Sequence, residues 1–154
     1  MKPIGVGSDD AGATLRLAVA AHLRELGYEV DDYGVDDSSS AYPQVAFEVA
    51  AHVASGKHDR AVLCCGTGIG MAIAANKVSG VYAAQVHDPY SAERARASNN
   101  AQVMTLGARV IGPELAVALM RIWLSSEFQG RGSARKVAKI AAAERALAAG
   151  VRAS

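Results

Sequence analysis

Short apolar runs alternate along this chain with longer segments in which apolar residues recur at helical spacing. In the first such segment Leu15, Val19 and Leu23 lie four residues apart, on one face of a helix. Strands that are separated by helices and short connections form a parallel sheet covered on both faces. The pattern therefore predicts an α/β fold with a five-stranded parallel sheet. The predicted strands are Pro3–Ser8, Glu29–Tyr33, Arg60–Cys65, Gly80–Val86 and Val103–Leu106.

Prolines and glycines mark the ends of the predicted helices. Pro43, Pro89 and Pro113 stand at helix starts, where the missing N–H costs no hydrogen bond. Gly27 stands where the first helix is expected to end. The polar segment Gly34–Ala41 is expected to be a loop.

The tail of the chain, Ser133–Val151, carries a further apolar stripe at helical spacing. A five-stranded core needs no additional helix. This tail helix therefore either packs on another subunit or lies back on its own domain.

Composition narrows the classes of function. With 154 residues, the chain is expected to form one domain over residues 1–154. Its 16 Lys and Arg nearly balance 15 Asp and Glu, and a net charge of +1 gives no field that favours nucleic acid or an anionic membrane. No apolar run approaches the roughly 18 residues that a transmembrane helix needs. We therefore expect a soluble protein with neither nucleic acid nor membrane as a partner.

The cysteines and the acidic residues point to neither a disulfide nor a metal centre. Cys64 and Cys65 are sequence neighbours and cannot form an ordinary structural disulfide, which favours the reducing cytoplasm. Asp36-Asp37 is followed by serines and is more typical of a solvated loop than of a metal site. We expect a cytoplasmic protein without a metal.

Polar or ionisable groups follow four of the predicted strands. Ligands of parallel α/β sheets bind outside the carboxyl ends of the strands, so these groups should meet at one edge. They are Asp9-Asp10, Cys65–Gly70, His87-Asp88 and Gly107–Arg109.

The glycine-rich stretch Gly66–Gly70 is typical of a loop whose backbone N–H groups face an anion. It matches none of three familiar phosphate loops, because Met71 stands where each needs glycine, lysine or arginine. What remains is a thiol beside an amide-lined hole, which suits removal of a proton next to a carbonyl and stabilisation of the resulting enediolate. Alternatively, Cys65 is simply a small buried residue that ends a strand.

The ordered motifs of this chain resemble a known family. The resemblance is to the ribose-5-phosphate isomerase B and galactose-6-phosphate isomerase family of sugar-phosphate isomerases, and it covers nearly the whole length. It implies a Rossmann-like three-layer α/β sandwich and metal-free, cofactor-free aldose–ketose isomerisation. It also implies a homodimer or dimer of dimers with shared active sites. The motifs that carry the resemblance are Gly5–Asp9, Tyr42-Pro43, Cys65–Gly70, Ala75–Lys77, Pro89–Ala92, Asn99-Asn100 and Leu106–Gly112.

The resemblance also implies roles for individual residues. Cys65 would be the base that moves a proton between C1 and C2, and Thr67 would shuttle a proton between the two oxygens. Asp9 and Asn99 would bind substrate hydroxyls or the reacting oxygens. The remaining contacts would come from the amides of Gly66, Gly68, Ile69 and Gly70, from Tyr42 in the pocket wall and from Arg109 at the phosphate.

The chain departs from the ribose-5-phosphate type at several positions. Asp10 stands where those enzymes have a histidine, and Ser98 stands where they have the histidine associated with opening the sugar ring. The phosphate-binding arginines are out of register, and Arg131 and Arg135 are the candidates here. His87 follows strand four, where a ribose-type enzyme need not have a histidine.

These departures leave the substrate open. Either His87 takes over ring opening, or the substrate needs none. A tetrose 4-phosphate is of the second kind, because its blocked O4 cannot close a five-membered ring. We expect an isomerase of a phosphorylated sugar with a substrate that is acyclic or otherwise not ribose 5-phosphate. The alternatives are a non-catalytic sugar-phosphate-binding module and one subunit of a two-chain galactose-6-phosphate-type isomerase.

Overall fold

The computed structural model describes residues 1–34 and 41–151. Strands and helices alternate in the predicted order, which confirms the α/β prediction. The predicted loop Gly34–Ala41 lies, apart from its ends, outside the described residues, and so does Asp36-Asp37. The strands are β1 (Ile4–Ser8), β2 (Val30–Asp32), β3 (Ala61–Cys65), β4 (Ala83–Gln85) and β5 (Val103–Gly107). The helices are α1 (Ala13–Glu25), α2 (Tyr42–Ala54), α3 (Ile69–Ala75), α4 (Pro89–Ala97), α5 (Pro113–Ser125) and α6 (Arg131–Ala148).

The five strands form one parallel sheet in the order β2-β1-β3-β5-β4. β5 therefore lies between β3 and β4, and the register pairs Cys65 with Gly107. Every residue of β1, β3 and β5 is buried. These central strands are consequently mostly apolar, as expected for strands with helices on both faces.

Strand β4 is shorter than the predicted Gly80–Val86. It lies at the sheet edge and pairs only with β5. In the residues before β4, the side chain of Gln102 takes the place of strand-to-strand hydrogen bonds. Its oxygen accepts the N–H of Tyr82 at 2.8 Å, and its amide donates to the carbonyl of Gly80 at 3.0 Å. A side chain therefore satisfies backbone groups that the sequence pattern assigns to the strand.

Helices cover both faces of the sheet and give the three predicted layers. On one face α1, α4 and α5 bury a core that includes Trp123 and Leu23. On the other face α2 and α3 bury a core that includes Val49 and Met71. The prolines at the starts of α2, α4 and α5 stand where the sequence predicts them.

Helix α6 differs from the others because none of its residues is buried. The carboxylate of Glu144 accepts the backbone N–H of Gly80 at 2.9 Å. Ile140 is 53% exposed and Leu147 is 62% exposed. An amphipathic helix whose apolar side chains face solvent is typical of a surface that another protein covers. In the part of the chain that the structure describes, no helix is long and apolar enough to cross a membrane.

Candidate active site

The carboxyl ends of β1 and β3 bring Asp9 close to the cysteine pair. Asp9 follows β1, and its carboxylate accepts the backbone N–H of Gly12 at 3.0 Å. A Cβ at Gly12 would lie 2.3 Å from the carbonyl oxygen of Cys64, so the backbone there packs directly on β3. Only glycine permits this approach, which sets the Asp9 turn against the end of the cysteine strand.

Cys65 ends β3 on the floor of this edge and is 5% exposed. The backbone N–H of Gly68 donates to its Sγ at 3.1 Å, and the N–H of Ile69 donates to Oγ1 of Thr67 at 3.2 Å. Two amides that we expected to face substrate oxygens are thus directed at the two side chains assigned to proton transfer. The Gly68 amide thereby fixes the position of the sulfur.

The neighbouring strands hold the glycine loop from below. The hydroxyl of Thr105 donates to the Gly68 carbonyl at 2.8 Å, and Nε2 of Gln85 donates to the Thr67 carbonyl at 2.7 Å. Gly107 also touches the loop, because a Cβ there would lie 2.7 Å from the Thr67 carbonyl carbon. Sequence reasoning missed Thr105 and Gln85. Thr105 carries a detectable signal, as a polar residue inside the otherwise apolar run of β5.

Tyr42 reaches the same loop from the start of α2. Its ring lies over Gly70, where a Cβ would meet the ring carbon Cε2 at 2.5 Å. The side chain is 40% exposed. Gly70 therefore has to be glycine to let an aromatic wall stand at the mouth of the loop.

Arg109 approaches the loop from the turn after β5. Its backbone N–H donates to the Gly66 carbonyl at 2.9 Å. Its side chain runs alongside, since a Cβ at Gly66 would lie 3.5 Å from Nη1 of Arg109. The guanidinium is exposed at the edge, where it can bind an anionic substrate group.

His87, which follows β4, is tied to the backbone of β5. Its Nε2 lies 3.0 Å from the Gly107 N–H, so this nitrogen is the acceptor and the ring proton is on Nδ1. Burial lowers the pKa of His87, and the opposing effect of Asp88 is smaller. The ring is therefore neutral near pH 7, with its basic nitrogen occupied.

Three of the expected site residues do not join this edge within one chain. Helix α4 leads from the carboxyl end of β4 to the amino end of β5, so Asn99 just after it lies at the opposite edge of the sheet. The amide of Asn99 donates to the Arg94 carbonyl at 3.2 Å. The Gln129 N–H binds the Ala97 carbonyl at 3.1 Å, which places the start of α6, with Arg131 and Arg135, at that edge too.

Cys64 and His58 are further nucleophilic or metal-binding side chains, and both lie outside this site. Cys64 points to the opposite face of β3 from Cys65, and complete burial raises the pKa of its thiol. His58 is buried at the amino end of β3, near His52. Among the described residues, no group of three or more His, Cys, Asp or Glu side chains could hold a metal ion.

Comparison with known proteins identifies the family of this chain. The sequence profile described as Ribose/Galactose Isomerase matches residues 4–140. D-erythrulose-4-phosphate isomerase of Pectobacterium atrosepticum is 53% identical over 142 residues, which are 91% of this chain and 93% of that protein. Ribose-5-P isomerase B of Listeria innocua is 50% identical over 135 residues, 87% of this chain and 91% of that protein.

A solved structure extends the likeness to the fold. Ribose-5-phosphate isomerase B of Clostridium thermocellum superposes with a TM-score of 0.91 at 43% identity, over 96% of this chain and 99% of that one. The chain thus has the fold of these enzymes and is an aldose–ketose isomerase of sugar phosphates. The chain belongs to the ribose/galactose isomerase family.

Proposed function

We propose that this enzyme interconverts a four-carbon ketose phosphate and its aldose, D-erythrulose 4-phosphate and D-erythrose 4-phosphate. The observation that carries the choice of substrate is the hydrogen bond between Gly107 N–H and Nε2 of His87. The name of the Pectobacterium relative, 53% identical, supports the same substrate.

Opening a sugar ring requires a group that takes a proton from one ring hydroxyl and returns one to the ring oxygen. His87 is the histidine at this edge, and its basic nitrogen is already bound to Gly107. Ser98 replaces the family histidine associated with the same step. A substrate whose O4 carries the phosphate has no five-membered ring to open, so the enzyme needs no such group.

The reaction itself is a proton transfer on carbon. Cys65, as thiolate, removes the proton from C1 of the ketose, and the electrons of the C–H bond form a cis-enediolate with negative charge on O2. Thr67 passes a proton from O1 to O2, and the Cys65 thiol then returns its proton to C2. Atoms and charge balance without a redox partner.

The binding groups follow from the geometry of the edge. Asp9 lies beside the cysteine strand and holds a substrate hydroxyl. Arg109 lies along Gly66 and binds the phosphate. Tyr42 over Gly70 closes one side of the pocket. The glycine loop completes the site by holding Cys65 and Thr67 in place through the amides of Gly68 and Ile69 before substrate arrives.

A second subunit completes the site. Asn99, Arg131 and Arg135 carry the chemistry for binding hydroxyl and phosphate oxygens, yet they lie at the far edge of their own sheet. In a two-fold dimer, Asn99 of the partner subunit and the partner's Arg131 and Arg135 reach the Cys65 edge. The exposed apolar residues of α6 supply a surface for this contact.

Steady-state kinetics on a panel of tetrose, pentose and hexose phosphates tests the proposal. We expect kcat/KM for D-erythrulose 4-phosphate to exceed that for ribose 5-phosphate by about 10²-fold or more, the scale on which a site lacking a required group discriminates. The second candidate is ribose 5-phosphate, which the name of the Listeria relative favours. Higher efficiency on ribose 5-phosphate would contradict the tetrose proposal.

A further inference from the structure

His87 occupies an unusual position for a histidine beside an active site. It follows the edge strand β4, but the group it binds, the N–H of Gly107, belongs to the last residue of β5. The ring is half-buried, and its only basic nitrogen accepts that bond. This histidine therefore acts on the backbone of the neighbouring strand.

Gly107 begins the turn that connects the loop to Arg109. The next N–H, of Ala108, donates to the Cys65 carbonyl at 2.8 Å, and the N–H of Arg109 donates to the Gly66 carbonyl at 2.9 Å. Three successive amides are thus bound, the first by a side chain and the other two by the backbone of the site. The turn also closes on itself, because Val110 N–H binds the Gly107 carbonyl at 3.0 Å.

We propose that His87 is a positioning residue for phosphate binding: as a neutral acceptor it fixes Gly107, and through it the turn that aims Arg109 along Gly66. The inference rests on the proposed function, since it assigns Arg109 to the substrate phosphate. Loss of the acceptor leaves the Gly107 N–H unpaired in a buried strand, and the turn must shift to reach another partner.

Two variants separate this role from ring opening. The amide oxygen of His87→Gln stands close to the position of Nε2 and can accept the same bond, whereas His87→Leu removes the acceptor and keeps the bulk. With D-erythrulose 4-phosphate, we expect His87→Leu to raise KM about tenfold, the scale of one lost hydrogen bond, with kcat within about threefold. We expect His87→Gln to restore most of KM.

Phosphate binding, measured without turnover, tests the positioning role whichever sugar phosphate is the substrate. Inorganic phosphate is titrated into wild type, both His87 variants and Arg109→Met, with binding followed by calorimetry and Gly107 amide exchange followed by NMR. We expect weaker phosphate binding and faster Gly107 exchange in His87→Leu, and near wild-type values in His87→Gln. If wild type binds phosphate through Arg109 but turns over no tetrose phosphate, the proposed substrate fails and the positioning role stands.

The contrary outcomes are equally distinct. If both His87 variants lose kcat alike with KM unchanged, the imidazole takes part in proton transfer and the inference is wrong. If His87→Leu lowers only the melting temperature, while phosphate affinity and KM stay at wild-type values, the bond is purely structural and the inference is also wrong.

Discussion

The backbone N–H of Gly68 donates to the sulfur of Cys65 at 3.1 Å, and this contact joins the glycine loop to the proposed base. It depends on a left-handed backbone at Gly68, with φ of +79°. A Cβ there would also lie 3.0 Å from the carbonyl carbon of Leu106. The loop geometry is therefore available to glycine and costly for any other residue.

Substitution Gly68→Ala should consequently impair the reaction. We expect kcat to fall about 10²-fold, the effect of displacing a catalytic group by about 1 Å, because the shifted loop no longer holds the Cys65 sulfur in place through the Gly68 N–H. Gly27→Ala is the matched control, because Gly27 has a similar φ of +86° with nothing within 4 Å of its Cβ position. Both variants place a Cβ atom on left-handed backbone, which lowers the free energy of unfolding by about 1 kcal/mol. Equal kcat values in Gly68→Ala and Gly27→Ala would show that the loop geometry does not contribute to catalysis.

Removing the Arg109 guanidinium should weaken substrate binding. Arg109→Met keeps the length of the side chain but loses the charge, and we expect KM to rise about 10–100-fold, the equivalent of one charge-assisted hydrogen bond. Arg121 is exposed on α5 and provides the control, Arg121→Met, with unchanged KM. Initial-rate measurements over a range of substrate concentration distinguish KM from kcat. An unchanged KM in Arg109→Met would place the phosphate elsewhere.

A shared active site predicts complementation between two inactive variants. Cys65→Ala removes the base and Asn99→Ala removes a partner contribution, so a mixed dimer keeps one intact site of two. Half of randomly formed dimers are mixed, and coexpression should restore about a quarter of wild-type activity. The specific activity of the coexpressed mixture measures this, and the doubly tagged, purified mixed dimer should show about half of wild-type activity, because one of its two sites is intact. A mixed dimer as inactive as its parents would show that each site is built from one chain.

The sequence predicted the layers, and it predicted which loops meet at the carboxyl edge of the sheet, because both depend on local pattern. Apolar runs identified the central strands β1, β3 and β5, and the rule for the carboxyl ends of strands brought Asp9, Cys65 and Arg109 to one edge. The order of the sheet was not predictable from this pattern. With β5 between β3 and β4, His87 faces the end of β5, which is why its nitrogen is occupied.

The separation of Asn99 from Cys65 has a different origin. A helix between parallel strands must return to the amino edge, so a motif at its end lies far from the site in its own chain. The order of motifs along the sequence does not show that the chain returns to the amino edge before Asn99, and it does not show where α6 lies. No residue of α6, Arg131–Ala148, is buried, because the other helices already fill the two cores. The apolar stripe of α6 does not show this by itself.

The buried His58 should make stability depend on pH. Its Nδ1 donates to the Pro3 carbonyl at 2.8 Å, and Nε2 accepts from the Tyr33 hydroxyl at 2.7 Å. Burial lowers the pKa of His58 in the folded state, so below about pH 6.5 the unfolded chain takes up a proton that the folded chain does not. The free energy of unfolding therefore falls as pH decreases through that range.

Urea unfolding at pH 7.5, 6.5 and 5.5 measures this dependence. We expect a loss of up to about 1.4 kcal/mol per pH unit from this one group. His58→Asn lacks the titrating group while its amide can still donate to Pro3, so its stability should vary less over the same range. An identical slope in both proteins would assign the pH dependence to other groups.

Solvent deuterium exchange tests the central claim, that Cys65 moves a proton on the carbon of a sugar phosphate. Wild-type enzyme in D₂O should incorporate deuterium at C1 of D-erythrulose 4-phosphate, and Cys65→Ala should lose this exchange about 10²–10⁴-fold with its fold intact. Cys64→Ala, which removes the neighbouring thiol on the opposite face of β3, should exchange at close to the wild-type rate. Exchange at the wild-type rate in Cys65→Ala would contradict the account.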